Sequence, residues 1–299
     1  MKSPCENDSP KALASCNPIR QTKMVEELLA RRLLRKSIRV LELWENADRD
    51  WNQTLYEMAA YAMGAPRNRG PFQTLAKVVT RRMCARESGS AHGVEALLLG
   101  ASGLLDGKYS DDYFTALKNE YDYLATKYSL TAMPLTDWDF KSPYLASSPV
   151  VRVAQFAAFV GREQFSFDQV LACEKVDDVA ALLSVDLGDY WCKKYRPKRG
   201  AGVVPRRLSK EKVVVMTINF VVPLQCAYAE VMHRPDIKQR ASGLLESLPA
   251  EHNRIVSRWT EGGFECTSAY MSQALIELQS YCDGGLCEEC PLAKEIKRA

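Results

Sequence analysis

The run Val213-Val-Val-Met-Thr-Ile-Asn-Phe-Val-Val222-Pro-Leu-Gln-Cys-Ala-Tyr-Ala229 decides the fold class. Its β-branched first half suits a strand. The apolar character nevertheless continues through Leu224, Ala227 and Ala229, too far for one strand. It therefore reads as a buried helix, kinked at Pro223, whose ring lacks the backbone N–H. Thr217, Asn219 and Pro223 break the run well short of the ~20 apolar residues that a membrane span needs. No membrane association is expected.

Working outward, helical periodicity dominates. Leu55, Met58, Ala59, Ala62 and Met63 recur at helical spacing. Val25, Leu29 and Leu33 form one stripe, and Leu34, Ile38 and Leu41 a second, so Thr22 to Trp44 reads as one long helix. Ser110 reads as an N-cap ahead of Asp111 and Asp112, with Tyr113, Leu117, Tyr121 and Leu124 as the buried face. Val153, Phe156, Ala157 and Val160 mark another helix. Met271, Leu275, Leu278 and Cys282 mark the last. No alternating pair of strands is evident. The expectation is an all-α fold of about a dozen helices in one or two packed lobes. Its parts are a flexible N-terminal tail (1–19), an N-terminal helical lobe (20–130) and a C-terminal helical lobe with a cysteine-rich tail (131–299). The proline-containing stretch 131–149 is read as the connection.

The 299 residues are 46% hydrophobic, enough for a sizeable core, and 26% charged, which excludes a disordered polyelectrolyte. The N-terminus carries no apolar stretch of signal-peptide type, so a cytoplasmic location is expected. The formal net charge of +3 conceals an asymmetry. The window Lys193 to Lys212 holds nine basic residues against the single acid Glu211, a net of +8, which leaves the remainder at −5. Lys193, Lys194, Arg196, Lys198, Arg199, Arg206 and Arg207 are the candidates for an anionic partner, with Tyr190, Trp191 and Tyr195 interleaved. The competing reading is a solvated loop with Trp191 in the core. Arg152 and Gln155 lie one turn apart on an otherwise apolar helix. A buried arginine there needs a carboxylate or carbonyl partner, or an anion.

Ten cysteines are present, and three close the chain in Cys282-Asp-Gly-Gly-Leu-Cys287-Glu-Glu-Cys290. Two cysteines at C-x2-C spacing on a tight turn, with a third at a helix end, suit a structural knot or a metal tripod. Cys266 is the first choice for a fourth ligand, and zinc ranks ahead of an iron–sulfur cluster. A disulfide or free thiols are the alternatives. The three histidines stand in no ligand motif. No phosphate-binding glycine loop and no nucleophile elbow occurs, so no catalytic residue is assigned and an enzyme is the least supported class.

One ordered series of residues carries a resemblance. It runs Asn68 with Pro71-Phe72, Glu95-Ala-Leu-Leu-Leu-Gly100-Ala-Ser-Gly103, Glu120-Tyr121, Lys127-Tyr128 and Trp138. It continues with Pro149, Arg152, Ala154-Gln155, Tyr190-Trp191, Asn219 with Val222-Pro223, and Leu248-Pro249-Ala250-Glu251 with Asn253. It closes with Trp259, Ser272-Gln273-Ala274-Leu275 and Tyr281-Cys282 through Cys290. The series resembles the uncharacterised bacterial family called domain of unknown function 2851. Longer members look as if they carry an N-terminal segment similar to restriction-endonuclease-like nucleases, which this chain lacks. The resemblance thus implies a helical module without the catalytic part, and a protein partner that supplies a nuclease-like domain. The chain departs from the family pattern at Ser142, Tyr144, Leu145, Ser147 and Ser148, where an arginine-rich stretch is usual. The C-terminal helix and cysteine loop are also similar to the end of helix-hairpin-helix glycosylases, with a shorter first spacing and Ile296 in place of the last cysteine.

Two functions are therefore expected. The first is a non-catalytic module binding DNA or RNA through the basic window, with Arg31, Arg32, Arg35, Lys36 and Arg39 of the first long helix as a second basic face. The alternative is a protein-interaction or scaffold domain with a structural cysteine or metal knot.

Overall fold

A computed structural model describes residues 9–90, 92–106, 111–163, 165–195 and 203–297. Among the described residues, sixteen α-helices, two 3-10 turns and two π-helical turns make up the regular structure, and there is no strand, only an isolated bridge between Pro249 and Ser268. The protein is all-α. The deciding run is helical throughout: Lys210–Met216, a π-helical turn over Thr217–Val221, then Val222–Met232. The wide turn falls just ahead of Pro223, where the missing N–H and the ring disfavour regular α geometry. Thr217 Oγ1 and Asn219 Nδ2 turn back on the carbonyls of Val213 (2.9 Å) and Val215 (3.0 Å), so both polar groups are satisfied inside an apolar run. Lys210–Met232 is the one helical stretch among the described residues long and apolar enough to cross a membrane, and 67% of its apolar window is buried within the protein. A core helix passes the same test.

The chain divides into two compact units. The first comprises residues 1–41, 174–176 and 221–299, the second 42–173 and 177–220. The boundary expected at 130/131 runs inside the second unit. The stretch 131–149 contributes two short 3-10 turns, Leu135–Asp137 and Leu145–Ser147, to that same unit.

In the first unit, Val222–Met232 packs on Pro235–Ser247, which packs on Ala269–Asp283, against which Arg254–Glu261 also lies. Ser9–Ala14, part of the expected flexible tail, is a helix with Leu13 1% exposed, packed on Arg254–Glu261. Residues 1–8 of that tail lie outside the described residues. The long helix spans Pro18–Asn46 and buries Met24, Val25, Leu28, Leu29, Leu33 and Val40. The second expected stripe is not buried: Leu34 is 52% and Ile38 47% exposed. One helix face suffices to fill the core, and single exposed apolar residues cost little.

In the second unit, Gly93–Ala101 packs against both Asp112–Tyr128 and Pro149–Val160, while Trp51–Gly64 packs against Arg69–Val78 and Pro149–Val160. Gly100 permits the closest approach, because a Cβ there would fall 1.9 Å from the Tyr121 ring. Asp111, not Ser110, caps Asp112–Tyr128 by accepting from the Tyr113 N–H at 2.8 Å. Ser110 lies outside the described residues. Pro149–Val160 starts on the Ser148 cap with proline in its first turn. It buries Val150, Val151, Val153, Phe156, Phe159 and Val160, each contributing about 1.5–3 kcal/mol of apolar transfer.

Candidate functional site

Two clefts open in the second unit, each of ≈ 410 Å³. The first includes Arg152, Lys212, Arg67, Asn68, Tyr144 and Ser147 in its lining. Ser142 and Tyr144, from the segment where the chain departs from the family pattern, stand in its wall. Arg152 Nη1 donates to Gln155 Oε1 at 2.8 Å and Nη2 to Ser147 Oγ at 3.4 Å. The partner is thus the side-chain amide carbonyl of Gln155, with the Ser147 hydroxyl beside it, rather than a carboxylate. Burial lowers the guanidinium pKa to about 10, with nothing opposing it.

Lys212 belongs to a helix rather than to an exposed loop, and it is 6% exposed. Its Nζ donates to the carbonyls of Ala62 (2.7 Å), Met63 (3.1 Å) and Ala65 (3.4 Å), the end of Trp51–Gly64. A helix C-terminus leaves such carbonyls without intrahelical donors and carries partial negative charge, so an ammonium there serves as a cap. Burial, and then Arg152 and Arg69, push its pKa well below the usual lysine range. Arg69 Nε is buried without a hydrogen-bond partner, and its guanidinium packs over the Tyr61 ring at 5.0 Å. Among the described residues, none of Arg152, Lys212 and Arg69 forms an ion pair. Two acids stand nearby: Asp139 pairs with Arg67 at 3.3 Å, and the exposed Glu211 lines the cleft.

The second cleft is lined by Glu95, Tyr113, Trp191, His92 and Arg162, over small residues Ala154, Ala157 and Gly161. Glu95 accepts from Tyr113 Oη and from Trp191 Nε1, each at 2.6 Å. Burial raises its carboxyl pKa, and the two donors and His92 oppose that rise. The same carboxylate and burial push the Tyr113 hydroxyl up. Tyr113 stacks on Tyr190 with centroids 3.8 Å apart, and Tyr190 Oη donates to Asp111 at 2.7 Å. Trp191 is 1% exposed, so it is core, as the competing reading of the aromatic–basic window had it. Arg162 spends Nη2 on the Leu182 carbonyl at 2.7 Å and Nε on that of Phe159 at 3.2 Å.

The basic window is only partly open. Lys193 pairs with Asp189 at 2.9 Å, and Arg206 with Asp186 at 2.6 Å and with Asp189. Lys194 and Arg207 are exposed. Arg196, Lys198 and Arg199 lie outside the described residues. The expected basic face of the long helix is engaged within the first unit. Arg31 bonds Glu27 and Tyr281, Arg32 bonds Gln273, and Arg35 pairs with Glu277.

Cys282, Cys287 and Cys290, none of them in a disulfide, line one cavity of ≈ 10 Å³ in the first unit. That is at the lower end of the ~10–15 Å³ a water molecule requires. Burial, then Cys290, raise the Cys282 thiol to about 11. Cys266 does not line that cavity; its Sγ lies 4.0 Å from the Ser268 carbonyl, near Glu251. Among the described residues no group of three or more His, Cys, Asp or Glu is placed to hold a metal ion.

The family described as "Protein of unknown function (DUF2851)" matches residues 2–254. The chain belongs to this family. The DUF2851 match covers both clefts and ends before the cysteine segment. No curated protein and no solved structure matches.

Glu95, Tyr113 and Lys212 were not singled out as site residues by sequence reasoning. Glu95 left one signal, a lone carboxylate in an otherwise apolar helix, Gly93–Ala101. Lys212 left another, a cation directly abutting the longest apolar run.

Proposed function

We propose that this DUF2851 protein is a non-catalytic module that binds the phosphates of a nucleic-acid strand, with the Arg152 cleft as its anchoring anion site. One observation carries the reading: Arg152 sits in a cleft with only neutral hydrogen-bond partners. A desolvated guanidinium without a carboxylate is stabilised by an anion that accepts from its fork, and phosphate matches that geometry. Lys212 and Arg69 add positive potential and bring no carboxylate of their own. Lys194 and Arg207 would follow the strand outside the cleft.

The test is titration of a fluorescent oligo-dT strand at several salt concentrations, with inorganic phosphate as competitor. Arg152→Ala is expected to weaken binding about tenfold or more, the worth of one charged hydrogen-bonding group. The slope of log K against log salt should fall in magnitude by about 0.7, as for one lost phosphate contact on a single strand. Unchanged affinity in that variant would overturn the reading. If the wild-type protein retains no strand at low salt, a protein-interaction role replaces it.

A further inference from the structure

We propose that the Glu95 cleft receives the base of a bound strand and selects guanine. This rests on the strand-binding reading above and adds a base to its phosphates. A carboxylate offers about four lone-pair sites on its two oxygens. Here Tyr113 Oη takes one site on Oε2 and Trp191 Nε1 takes one on Oε1. One site remains on each oxygen: among the described residues Glu95 forms no further side-chain hydrogen bond or ion pair, although His92 stands near enough to favour its charge. The ligand that fits such a pair carries two adjacent N–H donors.

Among nucleobases only guanine does so, through N1–H and the 2-amino group side by side. Adenine and cytosine place an acceptor beside their single amino group, and thymine and uracil flank one donor with acceptors. A carboxylate facing either arrangement would oppose an acceptor, which costs affinity rather than adding it.

The remaining walls suit a planar ring. Tyr113 presents an aromatic side chain, and Ala154, Ala157, Ala158 and Gly161 leave a floor without long side chains. The volume of ≈ 410 Å³ lies within the ~300–1,000 Å³ of small-ligand clefts. Tyr113 and Trp191 each hold one carboxylate oxygen, so its orientation is set before the base arrives. One wall also joins the cleft to the basic window. Asp186, Leu187, Gly188 and Trp191 line it, Arg206 is anchored on Asp186, and Lys193 follows Trp191 by two residues. A strand neutralised by that window would have a base within reach of the cleft, as single-strand binders combine a basic track with an aromatic pocket.

The experiment compares oligo-dT strands that differ at one central position: guanine, inosine, adenine or cytosine. Inosine keeps N1–H and lacks only the 2-amino group. The wild-type protein is expected to bind the guanine strand about tenfold tighter than the inosine strand. Glu95→Gln replaces one acceptor by a donor at constant shape and should abolish that preference. Tyr113→Phe keeps the ring, frees one clamp and should reduce the preference in part. Equal affinity of wild-type protein for guanine and inosine strands, with oligo-dT still bound, would overturn the guanine pocket and leave phosphate binding standing. Loss of all strand binding in the wild type would overturn both. Because the guanine–inosine comparison needs no variant, a misfolded variant cannot mask the answer.

Discussion

The two clefts of the second unit have the same volume and share a wall, yet they are opposites in charge. Pro149–Val160 supplies Arg152 to one and Ala154, Ala157 and Ala158 to the other. At about 100° per residue those positions fall on roughly opposite sides of the helix. In the first cleft, Arg152 meets only neutral partners, while Arg67 pairs with Asp139. In the second, the Glu95 carboxylate is held by two neutral donors, with His92 nearby. Each site retains an uncompensated charge, which packing alone does not require. The difference teaches that the basic window's net charge is a poor guide to the site. The window spends Lys193 and Arg206 on ion pairs and Lys212 on a helix end, whereas the isolated Arg152 keeps its charge unpaired.

The sharpest way to break the comparison is Trp191→Ala. The indole is fully buried and holds Glu95 in place, so its loss should destabilise the protein by about 3–5 kcal/mol. Denaturant unfolding measures this. If the second cleft is an independent feature, phosphate competition at the Arg152 cleft should persist while the variant remains folded. A cost below about 1 kcal/mol would show that Trp191 is not the pillar of that wall.

Lys212→Met is next in size. It keeps a long side chain and removes the donors to the Ala62, Met63 and Ala65 carbonyls. Leaving that helix end unpaired should cost about 1–3 kcal/mol. Chemical denaturation of wild type and variant in parallel reads the difference. A variant as stable as the wild type would mean that removal of a desolvated cation offsets the lost cap, and Lys212 would then be retained for its charge.

The smallest effect concerns Glu95. Burial raises its folded pKa above the ordinary carboxylate range, so the folded state holds the proton more tightly than the unfolded chain. Stability from this group is present below the unfolded pKa and is lost as pH rises through the folded value. Glu95→Gln does not titrate. Its melting temperature relative to wild type should therefore rise between pH 4 and pH 7, with Trp191 donating to the amide oxygen and the Tyr113 hydroxyl turning to accept from the amide N–H. Thermal melts across that range check the sign, and a relative melting temperature that falls with pH would place a cation beside Glu95.

The sequence by itself determined what depends on neighbours a few residues away. Helix class, the helical reading of Val213 to Ala229 and the core status of Trp191 follow from local spacing, propensity and apolar content. The family was also legible, because its signature is an ordered series of residues along the chain. The tertiary structure alone decided which of two apolar stripes on Pro18–Asn46 is covered, and so left Leu34 and Ile38 in solvent. It alone brought Lys212 to carbonyls about 150 positions earlier in the chain, and Trp191 to a carboxylate 96 positions away. A charge is read from the sequence as a sum, whereas its partner is chosen by burial and distance across the fold. A lysine in a basic window thereby became a helix cap, and a glutamate in an apolar helix became the wall of a cleft.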